Sequence, residues 1–264
     1  MRKDFERAYV TAHGNVALIT LNHPEALNAA SVKMLKGLTA AFDYVEKSGE
    51  FRAIVMTGEG RGFCSGANLT EIPEEQQSSA GVGSALETAY HPFLRRIRDL
   101  KMPFITAVNG AAAGIGMSFA VMGDIVLAGR SAYFLQAFAR IGLVPDGGST
   151  WLLPRLVGLA RAKELSMMAE KLPAEKALEW GLINQVHEDS ALLEAALKLA
   201  ARLADGPTQS LGMIRKLYWD SPQNTYEVQL DQERQAQGRA GRTKDFVEGV
   251  TAFAQKRPAK FKGE

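Results

Sequence analysis

Between Lys101 and Asp124 the chain carries no charged residue, and this stretch, residues 102–123, limits the available folds more than any other. It is long enough to cross a bilayer. However, it contains Pro103, Asn109, Ser118 and glycines at 110, 114, 116 and 123. A buried strand (PFITAV), a glycine turn and a buried helix (MSFAVM) accommodate those residues better than a membrane span does. The stretch therefore reads as protein core.

Composition narrows the class further. Lys plus Arg number 31 and Asp plus Glu 29 in 264 residues, a net charge of +2. That balance argues against a surface built throughout for nucleic acid or anionic lipid. A single cysteine, Cys64, excludes an intramolecular disulfide, and four scattered histidines leave no Cys/His zinc spacing. The opening MRKDFERAYV lacks the apolar core of a secretory signal. These features predict a cytoplasmic, metal-independent globular protein.

The first half alternates strands and helices. Apolar runs at residues 7–11 and 16–21 flank His13-Gly14-Asn15, a hairpin signal. Ser31 is placed to cap a helix whose apolar residues Met34, Leu35, Leu38, Ala41, Phe42 and Val45 recur at helical spacing. A strand follows at residues 52–57, and residues 73–84 read as a polar, mobile loop. A helix then runs to about residue 100, before PFITAV and a further strand, DIVLA. From Ser149 onward the patterns are helical, with Asp205-Gly206-Pro207 as a break. The expectation is an α/β core with a helical C-terminal part.

Three glycine-rich places carry the chemistry. In NGAAAGIG the spacing Gly110-x-x-x-Gly114-Ile115-Gly116 imitates a dinucleotide turn. However, about a hundred residues precede it, and no tyrosine has a lysine four residues later. Gly116-Met117-Ser118-Phe119-Ala120 is an imperfect nucleophile elbow, for which only His187 could follow as base. Independently of any cofactor, unpaired amides at a helix start can face an anion or a developing oxyanion, and glycines keep the approach to the Ile115 amide bare. Close helix–strand packing is the competing explanation. GRGFCSGANL offers a second tight turn, with the Ala67 amide beside Ser65 and Gly66. In IGLVPDGGST, Asp146 precedes two glycines, a pattern that by itself is most often a turn or cap.

Taken together, NHPEALNA, FCSGANL, PFITAVNGAAAGIG, GDIVLA, LVPDGGSTWLLPRLVG, EWGLINQV and EGVTAFAQKR resemble the crotonase (enoyl-CoA hydratase/isomerase) superfamily in order and spacing. The resemblance implies an α/β spiral of ββα units over residues 1–205. It also implies a C-terminal helical region, 206–264, for trimerisation and CoA contact. It makes the amides of Ala67 and Ile115 an oxyanion hole for a thioester carbonyl, with the Ile115 side chain narrowing the approach. Glu25, Ala26, Leu27, Asn68 and Leu69 would line the CoA groove. Phe253 and Lys256 match positions from which a neighbouring copy reaches the CoA. No cofactor is implied beyond the CoA of the substrate, and the implied assembly is a homotrimer or a dimer of trimers.

The departures from the family pattern are informative. Hydratases of this family carry two glutamates, and the matching positions here hold Ser118 and Phe138, neither of which can act unaided as a general base near neutral pH. Asp146 is the acid that remains. One carboxylate suffices to take a proton from an acyl chain and return it two carbons away. The expectation is an acyl-CoA isomerase that shifts a 3-enoyl double bond or opens a ring epoxide to an oxepin. The resemblance is strongest to the isomerases of ring-epoxide thioesters in phenylacetate catabolism. Tyr90, Phe93, Phe138 and the loop at 73–84 are expected to shape the acyl pocket, and Asp124 reads as structural. A hydratase with a rearranged acid is one alternative. A catalytically silent scaffold is another, as is an RNA binder using Arg95, Arg96, Arg98 and Lys101, although a solvated helix face explains those charges better.

Overall fold

A computed structural model of the chain describes residues 2–71 and 83–264. Most of the loop expected at 73–84 therefore lies outside the described residues, while 83–85 already form a helical turn. The uncharged stretch resolves as expected into strand β6 (Phe104–Val108), strand β7 (Ala111–Ala113) and a short helix, α3 (Ile115–Val121). Among the described residues, no helix is long and apolar enough to cross a membrane.

Two sheets are wound together by one repeating move. Strands β1 (Arg2–Phe5), β2 (Ala8–His13) and β3 (Val16–Leu21) form an antiparallel meander. The hairpin falls at Gly14, whose φ of +59° suits the turn. From β3 the large sheet continues in parallel through β4 (Ala53–Gly58), β6, β8 (Ile125–Gly129) and β11 (Gln185–His187). After β4, β6 and β8 the chain steps across to a smaller sheet. It adds there β5 (Gly62–Cys64), β7 and β9 (Tyr133–Leu135), all parallel, with β10 (Leu172–Pro173) antiparallel at the edge. This alternation is the expected spiral of ββα units. The chain beyond Ser149 is not wholly helical, because β10 and β11 return to the two sheets. Both are very short, which leaves little periodicity to read.

The central parallel strands β3, β4, β6 and β8 are almost wholly buried, which explains why they carry no charged residue. On one face α1 (Val32–Ser48) seats Met34, Leu35, Leu38, Ala41, Phe42 and Val45, all buried, and Ser31 caps it by accepting the Met34 N–H. On the other face α7 (Leu192–Ala204) lays Ala196, Ala200 and Ala204 against Val16, Leu18, Val55, Ile105 and Leu127. Phe93, expected in the acyl pocket, belongs instead to the core on the α1 side. Its ring packs edge-on against Phe42 at 5.8 Å and Phe119 at 5.2 Å. The C-terminal helices dock in part through a buried ion pair, beside bonds from Arg52 to Thr208 and Phe261 and a stack of Trp151 on Trp219. Arg215 donates to Asp124, whose carboxylate also accepts the Phe104 N–H. Asp124 is thus a structural residue, as expected.

Candidate active site

Strands β5, β7 and β9 run in parallel, so the segments that leave their C-terminal ends emerge side by side. These are residues 65–69, 114–116 and 136–138, and the first two are the glycine-rich turns. Ligands of α/β sheets gather at such ends.

Hydrogen bonds fix the direction of each turn. Ala30 donates its N–H to Gly66 O at 2.7 Å and accepts from the Asn68 N–H at 3.0 Å, making a parallel bridge opposite Ala67. In such a bridge the residue between the two bonded ones turns its own amide to the other side. The Ala67 N–H therefore faces away from Ala30, and Ala67 lines a cavity. In the second turn Gly114 adopts φ +51° and donates its N–H to Leu135 O at 2.8 Å. Ile115 then begins α3, where its amide has no partner one turn back. A Cβ at Gly66 would stand 3.3 Å from Ala113 O, and one at Gly116 would overlap the Cys64 carbonyl. Both glycines thus serve close packing, and that packing sets the two amides beside one another.

The cavity between these turns has a volume of about 310 Å³ and is lined mainly by apolar side chains, among them Val32, Leu86, Tyr90, Ile115 and Phe138. Asp146 lines the same cavity. Its carbonyl oxygen accepts from Ser149 Oγ at 2.7 Å and from Ser118 Oγ at 3.3 Å, which fixes the loop. Its carboxylate Oδ1 is buried and has no hydrogen-bond partner among the described residues. Burial pushes the Asp146 carboxyl up to about 6, against a weaker opposite pull from His91. Cys64, the other nucleophilic candidate nearby, is buried with its thiol pushed up to about 11, which makes it inert. Ser118 is wholly buried and turned to the Asp146 carbonyl. The elbow reading fails there, since His187 instead contacts Gln185 on β11.

A family profile described as enoyl-CoA hydratase/isomerase matches residues 11–264. The chain belongs to that family. It is 44% identical over 250 residues to a 1,2-epoxyphenylacetyl-CoA isomerase of Escherichia coli K12, covering 94% of this chain and 95% of that protein. It is 43% identical to a probable enoyl-CoA hydratase of Rhodobacter capsulatus, covering 94% and 95% of the two chains. The crystal structure of an enoyl-CoA hydratase from Polaromonas sp. JS666 superposes with a TM-score of 0.91 at 33% identity, covering 97% of this chain and 99% of that one.

The crotonase fold brings most of the candidate residues together. Ala67, Asn68, Leu69, Ile115 and Asp146 line one cavity. Glu25, Ala26 and Leu27 lie alongside, because Ser65 donates its N–H to Leu27 O at 3.0 Å and its Oγ to Ala26 O at 3.1 Å. Phe253 and Lys256 do not join them. They sit at the end of α10 (Lys244–Ala254), exposed, with Lys256 donating its N–H to Phe253 O.

Two scaffold residues escaped the sequence reading. Asn28, at φ +56°, donates to Glu59 O and Gly62 O and accepts the His23 N–H, which holds NHPEALNA against β5. Arg7 grips Ser31 and Glu71 at the cavity mouth. The asparagine was visible inside its motif, whereas nothing in the sequence ties Arg7 to Glu71. Arg95, Arg96 and Arg98 are each paired with acids (Glu87, Asp43 and Asp99), which gives a charge-balanced helix face.

Proposed function

We propose that the protein is an isomerase of acyl-CoA thioesters in which Asp146 moves a proton along the acyl group. The observation that carries this reading is the buried Asp146 carboxylate with an unpartnered Oδ1, in the same cavity as Ala67 and Ile115. The thioester oxygen faces the amides of Ala67 and Ile115. The Asp146 carboxylate takes a proton from the carbon next to the carbonyl, and the charge passes to the oxygen. The same carboxyl returns the proton two carbons further on. A carboxyl raised to about 6 is matched to both halves of that shuttle near neutral pH. Simple 3-enoyl chains and ring-epoxide thioesters both fit the chemistry. The name of the Escherichia coli relative favours the ring.

Ser118 and Phe138 support isomerisation over hydration, since neither is an acid and the other carboxylate lining the cavity, Glu71, is paired with Arg7, which leaves Asp146. CoA lies along Glu25–Leu27 and Asn68–Leu69 in this reading. Phe253, 87% exposed on its own chain, reaches with Lys256 the CoA of a neighbouring copy in a trimer or a dimer of trimers. The spiral core at 1–205 and the helical region at 206–264 divide these duties, and the enzyme works in the cytoplasm without a further cofactor.

The test is to offer a 3-enoyl-CoA and follow the ultraviolet absorbance of the conjugated 2-enoyl thioester. A steady rise that disappears in Asp146→Asn is expected. A rise of equal rate in that variant sinks the shuttle. Hydration is the second reading, favoured by the name of the Rhodobacter relative. It predicts instead that the absorbance of a supplied 2-enoyl-CoA falls as water adds.

A further inference from the structure

Tyr90 stands at the junction of two unusual features. It ends a π-helical turn, Leu86–Tyr90, in which the His91 N–H reaches back five residues to Leu86 O before the regular helix α2 (His91–Arg98) begins. Such turns are rare and tend to mark functional positions, because they rotate the following side chains out of the regular register. Here the rotation puts the phenol in the wall of the Asp146 cavity. Its hydroxyl donates to the Ala30 carbonyl at 2.9 Å. That oxygen is the acceptor of the Asn68 N–H, and the Ala30 N–H holds Gly66 O. The two backbone hydrogen bonds that flank Ala67 thus both run through Ala30, and Tyr90 ties Ala30 to a helix outside both glycine turns.

We infer that Tyr90 is a positioning residue for the oxyanion hole, aiming the Ala67 amide through the Ala30 carbonyl. The inference rests on the reading of Ala67 as an oxyanion donor. Burial first, and then Cys64 and Asp146, push the phenol upward, so it remains a donor throughout the working pH range. A donor aimed in advance stabilises developing charge more than one that must reorganise. The cost of losing the tether therefore falls on turnover, whereas binding of the thioester, spread over the whole CoA groove, changes little.

The experiment compares wild type with Tyr90→Phe, which keeps the ring and removes the hydroxyl. Turnover of a 3-enoyl-CoA is expected to fall about fivefold, the scale of one lost neutral hydrogen bond, with KM within about twofold. The deciding readout is the infrared carbonyl stretch of a bound 2-enoyl-CoA, isotope-labelled at the thioester carbon and added in excess. Wild type shifts that band to lower frequency than in solution, and Tyr90→Phe shifts it less. A band at the wild-type position in Tyr90→Phe overturns the inference and leaves the oxyanion hole standing. A wild-type band that does not move on binding removes the oxyanion reading and the inference with it. Poor folding of the variant does not blur the result, because only folded protein contributes a shifted band.

Discussion

The two walls of the cavity are made differently. The wall carrying Ala67 and Ile115 is backbone, with amides aimed by bonds of Ala30 to Gly66 and Asn68 and of Gly114 to Leu135. Its side chains matter chiefly where there is no room for one, at Gly66 and Gly116. The other wall depends on a side chain. A loop anchored by Ser118 and Ser149 presents one carboxylate, and Phe138 beside it in the lining carries no proton chemistry. The first wall is therefore set by the fold of the backbone. In the proposed mechanism the second wall chooses the reaction.

The largest effect comes from breaking the acid wall alone. Asp146→Asn keeps shape and removes the proposed base, so turnover of a 3-enoyl-CoA is expected to drop by about 10³, with CoA-thioester binding retained. In the wild type, kcat/KM should rise with pH through about 6 and level off above it, because the proposed shuttle starts from the carboxylate. A profile that is flat across this range assigns the base to another group.

Next in size is a change on the other wall that leaves every functional side chain in place. A methyl group at Gly116 would overlap the Cys64 carbonyl and lie 2.8 Å from Cys64 Cβ, so α3 and β5 must separate. The two amides separate with them. Gly116→Ala is expected to lower turnover about 10²-fold, the loss of one oxyanion donor, in protein that remains folded by circular dichroism. Unchanged turnover shows that the backbone wall tolerates more play than its packing suggests.

The same division decided what could be read beforehand. The amide wall was legible because glycines and strand ends are local: FCSGA and NGAAAGIG each announce a strand, a turn and a close approach. The hairpin at Gly14 and the helix capped by Ser31 were legible for the same reason. Asp146 was legible as an acid but not as a buried one, since its elevation follows from a cavity built by residues far away in sequence. Phe93 was misplaced because an aromatic residue on an amphipathic helix faces core or pocket by an angle set by the π-turn before it. Strands β10 and β11, two and three residues long, are defined by their partners rather than by any period of their own.

A smaller effect tests whether the acid wall is costly to hold. The folded carboxyl at about 6 lies above its ordinary value of 3.8, so between these values the folded protein binds more protons than the unfolded chain. Stability from this group is then present at low pH and lost as pH rises through that window. Asp146→Asn is expected to be more stable than wild type by roughly 1–2 kcal/mol at pH above about 7, allowing for partial exposure, with no gain below about pH 4. Urea unfolding at the two pH values measures it. A gain at low pH instead has the sign of a carboxyl held down by partners.

The smallest effect probes the edge of the amide wall, where side chains do take part. Arg7, at φ +55°, donates to Ser31 Oγ at 2.7 Å and to both oxygens of Glu71 at 2.7 and 2.8 Å, holding Glu71 below the usual carboxylate range. Ser31 and Glu71 both line the cavity, and Ser31 follows Ala30 directly. The pair is bidentate but partly exposed, so it contributes little to stability and is screened by salt. Arg7→Met is expected to shift the urea midpoint slightly at low salt and less at high salt, with turnover within about twofold. If the amides are aimed by the backbone, releasing this clamp leaves them where they are. If Arg7→Met instead lowers turnover as far as Gly116→Ala does, the amide wall depends on its side chains as much as the acid wall does, and the contrast between the two disappears.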